Sequence, residues 1–108
     1  MQEPTFWILT SLASGTQHGY SILASVEELS SGSVKLKVPT LYAALERLTK
    51  DSLIVIDHEE VVDGRFRRYF VLTPAGRVAL KEEIVRKSEA VKRASAQLGM
   101  NPIGLNGS

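Results

Sequence analysis

Between Pro39 and Thr73 the chain reads PTLYAALERLTKDSLIVIDHEEVVDGRFRRYFVLT, switching from a helical hydrophobic period to two strand-like runs before a Thr-Pro helix start. Leu41, Leu45 and Leu48 fall at i, i+4 and i+7, on one helix face to be buried. Tyr42, Ala43, Glu46, Arg47 and Lys50 occupy the opposite face. Pro39 suits the first helical position, where its missing N–H costs nothing and its φ is already helical, so this helix is predicted to start at Val38 or Pro39. The run Leu53-Ile54-Val55-Ile56 is β-branched and too short for a helix, and Phe66 to Leu72 is a second such run. Asp63-Gly64 between them is a hairpin turn signal.

A helix followed by an arginine-bearing hairpin has the order of a winged helix. In helix-turn-helix readers the second helix of the pair enters the major groove with its N-terminal residues at base edges, and Thr40, Tyr42, Ala43 and Arg47 are placed for that. Arg65, Arg67 and Arg68 follow the hairpin tip, where guanidinium groups meet phosphates or the neighbouring minor groove. Their plainer reading is a solvated surface that keeps an edge hairpin soluble.

Two further helical patterns precede this stretch. Pro4 stands near a helix start, Phe6, Leu9, Leu12 and Ala13 form an apolar face, and Gly15 ends it. His18-Gly19 opens the next helix, whose Ile22, Leu23, Val26 and Leu29 are spaced for burial before the Ser30-Ser31-Gly32-Ser33 loop. Lys35 and Lys37 lie in the connection to the third helix, as surface lysines or as phosphate contacts at the groove entrance.

After Thr73-Pro74, an N-cap with proline at the first position, a long helix is predicted to about Leu98, with Gly99 as its stop. Leu80, Ile84, Lys87, Val91, Ala94 and Leu98 alternate spacings of four and three, a heptad-like seam with one polar interruption. Too little chain remains to cover that seam, so a second subunit is expected to do so. The predicted fold is mainly α with a small β-hairpin, a winged helix-turn-helix in the order α-α-α-β-β-α. A DNA-binding domain is expected over residues 4–73, a dimerisation helix over 74–98 and a flexible tail over 99–108.

At 108 residues this is one domain, near the size where partners help stability. The net charge is only +1, low for a nucleic-acid binder, but it is unevenly spread. Residues 1–34 hold three acidic and no basic side chains, residues 35–73 seven basic and six acidic, and residues 74–108 six basic and three acidic. A local basic footprint calls for two copies acting together. There is no cysteine, hence neither a disulfide framework nor a thiolate metal site. No apolar run suggests a membrane span, and Met1-Gln2-Glu3-Pro4 lacks a signal peptide's basic start, so a cytoplasmic location is expected. With His18 and His58 as the only histidines, and no phosphate-cradling glycine loop, neither an enzyme nor a cofactor or metal site is expected. His58 beside Glu59 and Glu60 reads as solvated strand, since neighbours in a strand alternate faces.

The chain resembles the PadR-type transcriptional regulators, in the short form with a single C-terminal helix. The resemblance covers residues 4–98 and rests on an ordered set: His18-Gly19-Tyr20, Thr40-Leu41-Tyr42 with Ala44-Leu45, Leu48 with Leu53-Ile54, and Gly64-Arg65 through Tyr69 to Leu72-Thr73 with Ala75-Gly76-Arg77. It implies a homodimeric regulator, usually a repressor, on an inverted-repeat operator in double-stranded DNA. Tyr20 and Tyr42 then match positions near the DNA backbone. The first and fourth helices build the dimer, and in some relatives a pocket there takes an aromatic or drug-like effector, which Trp7 would line unless it is simply core or interface. The family pattern has glycine at Pro39, proline at Ala43 and glycine near Ser52, so operator sequence does not carry over. A winged helix used as a protein-interaction module is the alternative, favoured by the near-neutral charge.

Overall fold

The computed structural model describes residues 1–100, so residues 101–108, part of the expected tail, lie outside the described residues. Helices α1 (Glu3–Leu12), α2 (Gly19–Leu29) and α3 (Val38–Lys50) precede strands β2 (Ile54–Val62) and β3 (Arg65–Leu72) and helix α4 (Pro74–Gln97), with a short strand β1 (Gln17–His18) before α2. The strands form one antiparallel sheet in the order β1-β3-β2.

The apolar periods converge on one core: Ile8, Leu9 and Leu12 of α1, Ile22 and Val26 of α2, Leu41, Ala44, Leu45 and Leu48 of α3, Ile54, Phe70 and Leu72 of the sheet. Each large side chain fully buried here stabilises the fold by about 1.5–3 kcal/mol. Leu29 does not join them. It is 46% exposed at the last position of α2, after which the chain leaves the helix through Ser31 and Gly32, both at positive φ.

β1 has no strand pattern of its own and is held by tertiary contacts. Gln17 lies opposite Phe70 and His18 opposite Tyr69, and the Gln17 amide donates to the Ser11 carbonyl of α1 while accepting from Ser25 of α2. β2 runs well past its apolar start because its polar half has partners, Glu59 facing Arg68 and Glu60 facing Arg67. Asp63 and Gly64 both adopt positive φ, as a two-residue type I′ hairpin requires. A bulge at Asp57 breaks the regular alternation and brings its carboxylate 2.6 Å from His58 Nδ1. No cluster of His, Asp and Glu able to hold a metal occurs among the described residues.

α3 ends in a Schellman turn: Leu53 N donates to Leu48 O at 3.0 Å and Ser52 N to Thr49 O at 3.0 Å, with Ser52 at φ 61. Glycine adopts that conformation without a Cβ penalty. Ser52→Gly is therefore expected to raise stability by about 0.5–1 kcal/mol, seen as a higher urea midpoint at unchanged slope. A lower midpoint would show that the serine carries no strain.

The same turn anchors α4. Thr73 Oγ1 accepts from Gly76 N at 2.9 Å and donates to Ser52 O at 2.6 Å, while Thr73 N donates to Leu53 O at 3.1 Å. Farther along, Lys87 Nζ lies 3.0 Å from Glu3 Oε1 and 4.8 Å from the centre of the Phe6 ring, fixing α1 against the middle of α4. Glu83 is nearly inaccessible, and Arg86 Nη2 donates to it at 2.7 Å. That bond holds the Glu83 carboxyl below the usual carboxylate range, against the opposing effect of burial.

The seam of α4 divides. Leu80, the first residue of the expected seam, is 7% exposed in the single protomer and packs in its core. Lys87, the polar interruption, is engaged by α1. Ile84, Val91 and Leu98 are 50%, 45% and 76% exposed, and Ala94 is exposed beside them.

Candidate nucleic-acid interface

With Leu41, Ala44, Leu45 and Leu48 turned inward, Pro39, Ala43, Glu46 and Lys50 fall within about 60° of arc on the side of α3 directly away from the core. All four are exposed. Thr40 and Arg47 form one flank of this face, and Arg47 Nη2 donates to Thr5 Oγ1 of α1 at 3.3 Å. Tyr42 and Thr49 form the other flank, toward α2 and the hairpin.

Tyr42 is positioned by a close approach. A Cβ on Gly19 would overlap the Tyr42 hydroxyl and stand 3.0 Å from the carbon that bears it, so only glycine leaves the ring its place over the start of α2. His18 and Ser21 close that helix start, His18 N donating to Ser21 Oγ at 3.1 Å and Ser21 Oγ to His18 O at 2.9 Å. Burial, and then the charge of Arg67, keep the His18 imidazole below its ordinary pKa and favour the neutral ring, against the opposing pull of Glu60. The sequence names His18-Gly19-Tyr20 as a motif, but the reason for its glycine lies in residue 42, far along the chain.

Two hollows flank this aromatic. One, of 480 Å³, lies between α3 and the hairpin and is lined by Tyr42, Leu45, Glu46, Thr49, Lys50, Ile56, Arg68 and Phe70. The other, of 250 Å³, joins the α2 start to the hairpin and is lined by His18, Gly19, Tyr20, Tyr42, Arg65, Phe66, Arg67 and Arg68. Tyr20 is 62% exposed at its edge. α3, the α2 start and the wing thus share one continuous surface.

The three arginines are not equivalent. Arg68 Nε donates to Glu59 Oε2 at 2.7 Å, and its guanidinium lies 5.6 Å from the Phe66 ring centre. Arg65 and Arg67 form no ion pair among the described residues. Glu60, opposite Arg67, instead accepts from the Tyr69 hydroxyl at 2.7 Å, and Tyr69 stacks on His58 with centroids 4.3 Å apart. Lys35 and Lys37 are exposed, alternating with Val34 and Leu36, which pack against the core.

Trp7 lies away from this surface, on α1 near α4. It is half-buried, meets Phe6 edge-on at 5.1 Å, and donates from Nε1 to Glu3 Oε2 at 3.1 Å. No helix among the described residues is long and apolar enough to cross a membrane.

The profile of the PadR-like family of transcriptional regulators matches residues 8–82. Over 76 residues the chain is 42% identical to the transcriptional regulator Rv3488 of Mycobacterium tuberculosis, covering 70% of this chain and 67% of that protein. Among solved structures it is similar to a transcriptional regulator from Clostridium thermocellum, with a TM-score of 0.71 and 26% identity over 86% of this chain and 89% of the other. It is also similar to Bacillus subtilis PadR in complex with operator DNA, with a TM-score of 0.70 and 21% identity over 78% of this chain and 48% of that one. At that identity the second likeness is one of fold.

Proposed function

The chain belongs to the PadR-like family of transcriptional regulators, and on that basis we propose that it is a homodimeric repressor of an inverted-repeat operator in duplex DNA. Each protomer lays the outward face of α3 in the major groove, with Thr40, Tyr42, Ala43 and Arg47 toward the bases. Arg65 and Arg67 of the wing contact flanking phosphates, joined by Tyr20, Lys35 and Lys37. The carrying observation is the pair of wing arginines without ion-pair partners among the described residues, set beside an exposed α3 face. Unpaired guanidinium groups are free to displace counterions from phosphates. The B. subtilis PadR neighbour, solved with operator DNA, supports this use of the fold.

The exposed part of the α4 seam, Ile84, Val91, Ala94 and Leu98, pairs the protomers in this proposal, with residues 4–73 as the reading head and residues 74–98 as the dimer arm. Release by a small effector beside Trp7, where α1 meets α4, belongs to the same proposal.

Fluorescence anisotropy on the protein's own upstream region and on random duplex, across about 50–200 mM salt, tests it. The wild-type protein is expected to prefer one fragment and to lose affinity steeply with salt. Arg65→Ala with Arg67→Ala is expected to weaken binding to every duplex and to reduce the salt slope by about four per dimer. Binding without sequence preference and without a salt slope would instead favour a winged helix that docks another protein, the reading consistent with a net charge of +1.

A further inference from the structure

The outward face of α3 carries an acid. Glu46 lies one turn after Ala43 and one turn before Lys50, within the arc opposite the buried Leu41, Leu45 and Leu48 and closer to its middle than Thr40 or Arg47. It is exposed and makes no ion pair or hydrogen bond among the described residues, although Lys50 follows at i+4. The acids along β2 are different: Asp57 meets His58 at 2.6 Å, Glu59 meets Arg68 at 2.7 Å, and Glu60 meets Tyr69 at 2.7 Å. The carboxylates along β2 are thus held by their neighbours, whereas that of Glu46 is open to a ligand lying on α3.

Resting on the DNA-reading proposal above, we propose that Glu46 is a specificity-determining residue whose carboxylate accepts a hydrogen bond from a cytosine amino group in the major groove. A carboxylate brought between two phosphate chains is repelled unless it meets a base donor. The major groove offers only the amino groups of cytosine and adenine. Adenine places its N7 acceptor directly beside that amino group, which repels a carboxylate, whereas cytosine has no such acceptor on its own major-groove edge. Ala43, one turn earlier, adds little bulk to hold the helix off the bases. Glu46 thus lowers affinity for duplex in general and restores it where cytosine stands at one position of each half-site, which is specificity through rejection.

Selection of bound duplexes from a random pool, run on wild type, Glu46→Ala and Glu46→Gln, tests this. Wild type is expected to return a palindrome with cytosine fixed at one symmetric pair of positions. Glu46→Ala is expected to reduce that preference about tenfold or more while binding random duplex about threefold to tenfold more tightly. Glu46→Gln is expected to move the preference toward adenine, whose N6 and N7 suit an amide. Unchanged thermal unfolding in both variants, expected for an exposed position, shows that the fold is intact. If wild type selects a palindrome and both variants return the same one, the role of Glu46 is overturned while the DNA-reading proposal stands. If wild type enriches no sequence, both are overturned.

Discussion

Ile84→Asp combined with Val91→Asp is expected to convert the protein to a monomer by sedimentation velocity and to lower operator affinity by about a hundredfold or more, because each half-site then binds without the effective concentration its partner supplies. In the single protomer these side chains are 50% and 45% exposed, so the substitutions open no cavity in its core. At a two-fold helix seam, however, they would bury unpaired carboxylates, which association cannot offset. Leu80 makes the contrasting control: it belongs to the protomer's own core, so its replacement should lower the unfolding temperature first. A double variant that keeps its dimer mass would place the pairing surface elsewhere and leave the exposed α4 face without its assigned role.

The second large effect concerns stability. A Cβ on Gly76 would overlap the Leu53 carbonyl oxygen and stand 3.2 Å from Leu72 Cδ2. That oxygen is part of a backbone already engaged by Thr73 N at 3.1 Å, so it has little room to yield. Gly76→Ala is expected to cost about 2–3 kcal/mol, as overpacking does when backbone must move. For a domain of this size the unfolding midpoint falls by about 10–20 °C. In the interior of an exposed helix the same exchange would stabilise, so a raised midpoint would show that the corner between α3, β2 and α4 is loosely packed.

Much of this architecture is legible in local patterns, since Leu41-Leu45-Leu48, Asp63-Gly64 and Thr73-Pro74 each act over a few residues. What escapes is decided by partners distant in sequence. Gln17-His18 becomes a strand only because β3 presents an open edge and Ser11 and Ser25 bind the Gln17 side chain. Leu29 fits the helical period yet lies outside the core, because period fixes a direction and not whether another element stands there. Leu80 follows the α4 seam by spacing, and that it packs in the core of the single protomer shows only in the structure. On the candidate surface, the outward face of α3 follows from the leucines alone. The pairing of Arg68 with Glu59, and the dependence of Tyr42 on Gly19, appear only once the register and the α2–α3 approach are known.

The Thr73 corner also has a geometric consequence. α4 is a lever about 36 Å long, hinged where Thr73 and Gly76 meet the Ser52-Leu53 turn and braced partway by Lys87 and Glu3. In a paired molecule, a tilt of about 10° at that hinge would displace the far end by about 6 Å, close to the rise of two base pairs. In the proposed dimer the distance between the two reading heads would then follow from the packing of a glycine against a carbonyl oxygen. Relatives with the same α3 could be retuned to differently spaced half-sites by substitutions at this corner, well away from any base.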